Sequence, residues 1–67
     1  MAKITLAAAR INAGYSQENL AKLIGVTRST LARWETGKTE IKAKYLCAFC
    51  KHTGFSVEDI LLPKKYA

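Results

Sequence analysis

Between Ser16 and Gly37 the apolar positions recur at helical spacing, in two short runs separated by a glycine. Leu20, Leu23 and Ile24 stand at i, i+3 and i+4, which predicts one apolar stripe on a helix over residues 17–24. Ser16 is placed to cap that helix, its hydroxyl accepting from the free backbone N–H groups of the first turn. Gly25 is predicted to end it, because a sharp turn needs positive φ and glycine adopts that without a Cβ clash. Thr27 caps the next helix, expected from residue 28 to about 36 and stopped before Gly37. Leu31 and Trp34 line its inner face, while Arg28, Ser29, Ala32 and Arg33 share the outer one. Ala21 is small enough to let the second helix cross the first closely.

The flanking pattern is helical too. Residues 1–4 read as a frayed lead-in, and Thr5 caps a first helix over about 6–13, rich in alanine. Leu6, Ala9 and Ala13 give it a narrow inner face, Gly14 follows its end, and Tyr15 packs as the chain turns. Residues 38–41 form a loop. A fourth helix is expected over about 42–53, burying Ala43, Leu46, Phe49, Cys50 and Thr53 and ending at Gly54. Ser56 caps a short fifth helix, with Glu58 and Asp59 where the helix dipole favours acids. Val57, Ile60 and Leu61 are its apolar residues, and Pro63 stops it ahead of a tail over 63–67. No window of six alternates with period two, so no strand is expected. The predicted fold is all-α, five helices in one domain over 1–67.

Composition narrows the function classes. A chain of 67 residues is too short for an active site with its own supporting shell. The net charge of +6 points to a polyanionic partner. No run approaches the roughly 20 apolar residues of a membrane span, and Arg10 interrupts the one apolar stretch near the start, so no signal peptide is read. The expected location is cytoplasmic, with both cysteines reduced.

A short helix that hides Leu31 and Trp34 and presents Arg28, Ser29 and Arg33 is suited to a groove. The DNA major groove, about 12 Å wide, admits one α-helix. Gln17, Ala21, Gly25, Leu31, Trp34, Glu35 and Gly37 resemble the helix-turn-helix of the phage repressor and Cro-type family, a likeness running from about Leu6 to Leu61. The resemblance implies a lambda repressor-like domain in which the first helix of the motif braces on the DNA backbone and the second reads bases. Arg suits base reading because its fork donates to both O6 and N7 of guanine, Ser29 is less selective, and Ala32 is placed for a thymine methyl. The same arginines on an isolated helix would be an ordinary solvated face.

The resemblance further implies that Gln17 bonds a phosphate and supports the first reading residue. It also implies that Arg10 pairs with Glu35, the acid after the aromatic, as a structural ion pair. Thr27, Lys38 and Lys42 are further phosphate candidates. Trp34 repeats with Leu31 on the inner face and so belongs to the core rather than to a stacking platform. The chain departs from the family pattern at Ile41, where many members carry proline, and at Thr53, where a large aliphatic is usual.

Cys47 and Cys50 followed by His52 offer three metal ligands where a closed zinc site wants four. Cysteines at i and i+3 on an amphipathic helix are ordinarily small apolar filler. No metal, cofactor or enzymatic activity is expected. The expected function is a sequence-specific transcriptional regulator, a repressor that binds a palindromic operator as a weak homodimer strengthened on DNA. Val57, Leu61 and Leu62 are the expected dimer contact, since one small core cannot take every apolar residue near the end of the chain. The rival is an antitoxin- or adaptor-type protein-interaction module with secondary DNA binding.

Overall fold

Helix boundaries in this chain follow from its hydroxyl residues and glycines. The computed structural model describes residues 3–62. After a two-residue strand β1 (Ile4–Thr5), four α-helices follow: α1 (Leu6–Asn12), α2 (Gln17–Ile24), α3 (Arg28–Thr36) and α4 (Ala43–Thr53). A single 3₁₀ turn (Val57–Asp59) and a second short strand, β2 (Ile60–Leu61), complete the order. Thr5 accepts from the Ala8 N–H at 3.1 Å, Ser16 from Asn19 at 3.0 Å and Thr27 from Thr30 at 3.2 Å. Each hydroxyl satisfies one of the orphan donors of a first turn. Gly25 terminates α2 at φ +93°, a left-handed conformation in which any Cβ is strained.

The core lies where α1, α2, α3 and α4 meet. Phe49, Leu20 and Leu31 are fully buried at its centre, with Leu6, Ala9, Ala21, Ile24, Trp34, Ile41, Cys50 and Ile60 around them. Helix α2 packs on both α3 and α4, and α1 packs on α3 and α4. Ala21, 1% exposed, is consistent with a close helix crossing. Ile41, in the loop before α4, is itself buried. Thr53 remains half-buried, its hydroxyl donating to the Phe49 carbonyl at 2.9 Å.

The expected five helices are four among the described residues. The stretch after Gly54 makes only the 3₁₀ turn, because Ile60 and Leu61 leave helical geometry to pair in parallel with Ile4 and Thr5. That pairing buries Ile60 and recruits part of the lead-in that was expected to fray. Ser56 makes no backbone cap; its hydroxyl donates to the Asp59 carboxylate at 2.8 Å. The tail over 63–67 and its proline lie outside the described residues.

The stripe expected on α2 is rotated. Leu20, Ala21 and Ile24 are buried, whereas Leu23 is half exposed. A helix wedged between α3 and α4 buries the arc between its two neighbours, and Ala21 rather than Leu23 lies in that arc. On α4, Phe49 and Cys50 are buried and Leu46 and Thr53 half-buried, but Ala43 is exposed in the first turn. Ala13 is likewise only half-buried, at the cap of α1.

Candidate nucleic-acid interface

Helix α3 is held from below and bare above. Leu31 and Trp34 point into the core, and Arg28, Ser29 and Arg33 are exposed on the opposite side, with Ala32 half-buried between them. The turn that sets α3 against α2 is closed by two bonds to the Ala21 carbonyl, from the Gly25 N–H at 2.8 Å and the Val26 N–H at 2.9 Å. Thr27 caps α3 and also shares a 2.9 Å hydroxyl contact with Thr30, which fixes the hydroxyl's position at the mouth of the helix.

A chain of polar contacts runs from the frame to this surface. Arg10 Nε donates to Glu35 Oε2 at 2.7 Å, and its Nη1 donates to the Tyr15 carbonyl at 2.9 Å. The side chains are 12% and 5% exposed, so the pair is largely dry. Glu35 Oε1 accepts from Gln17 Nε2 at 2.9 Å, and Gln17 Oε1 accepts from Arg28 Nη1 at 3.0 Å. Three helices are thereby joined through side chains: α1 by Arg10, α3 by Glu35 and Arg28, α2 by Gln17. The Gln17–Glu35 bond had no signal in the chain, because 18 residues separate the partners and neither periodicity nor capping relates them.

The other named residues are spread around this centre. Lys38 follows the Gly37 cap of α3, its backbone N–H donating to the Arg33 carbonyl at 2.9 Å. Lys42 is the N-cap residue of α4 and makes no side-chain cap, so the helix opens with backbone donors and no acid in its first turn. Both lysines are exposed. Helix N-termini of this kind favour anions. Lys44 lies over the Tyr45 ring, 4.9 Å from its centroid, and Tyr45 packs on Trp34 at 5.4 Å. Trp34 is 4% exposed and therefore a core residue.

Val57 and Leu61 are about half exposed, while Leu62 is half-buried and packs against the core. Ile60, between them, points inward. Both cysteines are free thiols, Cys47 exposed and Cys50 buried. Burial pushes the Cys50 thiol above its ordinary range, with smaller contributions from Cys47 and Asp59. Among the described residues no cluster of His, Cys, Asp or Glu is disposed to hold a metal ion. No helix there is long and apolar enough to cross a membrane.

No curated protein and no solved structure matches the chain. A helix-turn-helix family model matches residues 6–60, a span that takes in all four α-helices and ends at the first residue of β2. Capping residues, the Gly25 turn, the buried face of α3 and its exposed cationic face agree with that match. The chain belongs to the helix-turn-helix family of the phage repressor and Cro type, a family of DNA-binding regulators.

Proposed function

We propose that this protein is a transcriptional repressor that binds a palindromic operator as a symmetric dimer, with α3 in the major groove. One observation carries the reading: α3 exposes Arg28, Ser29 and Arg33 together while its opposite face is locked into the core by Leu31 and Trp34. In this reading Arg28, Ser29, Ala32 and Arg33 meet base edges. Gln17, Thr27, Lys38 and Lys42 meet phosphates, which set register without carrying sequence information. Val57, Leu61 and Leu62 form the contact between subunits, placing recognition helices about 34 Å apart in successive major grooves. The exposed apolar area at Val57 and Leu61 is small, which fits a weak dimer that DNA stabilises.

Selection of bound sequences from a random DNA pool tests this directly. The expected product is a two-fold symmetric site bound cooperatively, two chains to one duplex. Recovery of no sequence preference sinks the repressor reading. It would favour a protein-interaction module, for which Ile11 and Leu23, exposed large apolar residues on α1 and α2, would be the docking candidates.

A further inference from the structure

Gln17 lies between two groups that leave its amide no choice of orientation. On one side is Glu35, a carboxylate already bound to Arg10. An ionised carboxylate only accepts hydrogen bonds, and a guanidinium only donates them. The amide must therefore give its NH₂ to Glu35 and turn its oxygen to Arg28, as found, at 2.9 and 3.0 Å. The reverse orientation sets oxygen against oxygen on one side and N–H against N–H on the other. Arg10 and Tyr15 in turn keep the Glu35 carboxylate from rotating away.

We infer that Glu35, 5% exposed, is a positioning residue for base recognition: it fixes the polarity of Gln17 and thereby aims the Arg28 fork. The inference rests on the proposed DNA-reading role of α3. Arg28 is exposed, and a free arginine there samples many rotamers. Held by Gln17 through one Nη1 hydrogen, it keeps the rest of its fork for a base edge. A fork with two parallel donors matches O6 and N7 of guanine. The base selected through Arg28 is accordingly guanine, and a residue at 28 that needs a donor from Gln17 is disfavoured. The second hydrogen on Gln17 Nε2 is left for a phosphate, so the support of Arg28 and a backbone contact are compatible.

The test compares base preference position by position. Wild type, Arg28→Ala, Glu35→Gln and Gln17→Met are titrated against the selected operator and against duplexes carrying single base-pair changes, well below each variant's melting temperature. Arg28→Ala identifies the base pair that Arg28 reads. Glu35→Gln lets the Gln17 amide take either orientation, and discrimination at that one base pair is expected to fall on the order of fivefold, with positions read by Arg33 unchanged. Gln17→Met, at a half-buried position, is expected to relax the same position, and the double variant to lose no more than either alone. Unchanged discrimination in Glu35→Gln overturns the inference, whatever Gln17→Met does, and so does an equal loss at every position. A wild-type protein with no base preference at all removes the DNA-reading role itself and this inference with it.

Discussion

Arg10 and Glu35 meet across α1 and α3 at 2.7 Å, 25 residues apart in sequence and largely shielded from water. Removing one member of such a pair leaves the other charge poorly compensated, at a cost of about 3 kcal/mol. In a domain of this size that lowers the melting temperature by about 10–20 °C. Arg10→Met is expected to show this in thermal denaturation. Arg10→Met with Glu35→Leu is expected to recover much of the loss, because the unpaired charge is gone. An Arg10→Met variant that melts with wild type means the pair adds no stability.

Arg33 is exposed on the outer face of α3, and the Gln17 oxygen accepts from Arg28. If it reads a base through both donors, Arg33→Ala costs about 1–3 kcal/mol of discrimination. Fluorescence anisotropy against operator and random duplexes is expected to show a large loss on the first and a small one on the second. Equal losses would assign Arg33 to the phosphates.

Salt dependence separates the lysines from the readers. A dimer that neutralises about six phosphates has a slope of log K on log salt near −5. Lys42 at the start of α4 and Lys38 after α3 are exposed cations proposed to face the backbone. Lys42→Ala is expected to flatten the slope by about one charge per subunit and leave base preference intact. A slope that does not move places Lys42 away from the duplex.

Val57 and Leu61 test assembly. Both are about half exposed beside the buried Ile60, so a charge at either is tolerated by the fold. Leu61→Asp is expected to abolish cooperative binding while weak half-site binding and the melting temperature stay near wild type. Sedimentation and gel shift across a protein titration check it. Undiminished cooperativity in both Val57→Asp and Leu61→Asp moves the dimer contact elsewhere.

The two cysteines differ in environment and should differ in reactivity. The thiolate is the nucleophile, and burial keeps Cys50 protonated to higher pH than usual while Cys47 is exposed. Alkylation near neutral pH, followed by mass spectrometry, is expected to modify Cys47 first and Cys50 only when the chain opens. Rapid modification of both would mean that α4 exposes its inner face.

Local chemistry made the helices legible. Thr5, Ser16 and Thr27 cap through their own hydroxyls, and Gly25, Gly37 and Gly54 take positive φ, so the ends of α2 and α3 and the close of α4 could be placed from residue type alone. The outward set on α3 was equally plain, since Leu31 and Trp34 fix its inner face by helical period. What tertiary structure alone decided involves partners distant in the chain. The pairing of Ile4–Thr5 with Ile60–Leu61 is two residues long, too short for any periodicity, and it turned an expected fifth helix into a 3₁₀ turn and a strand. Leu23 has the spacing of a core residue, but the arc buried between α3 and α4 takes Ala21 instead. The bond from Gln17 to Glu35 exists because three helices converge on one carboxylate. Sequence spacing specifies what a side chain offers and which face of its own helix it shares; the packing of the other helices determines what that face meets.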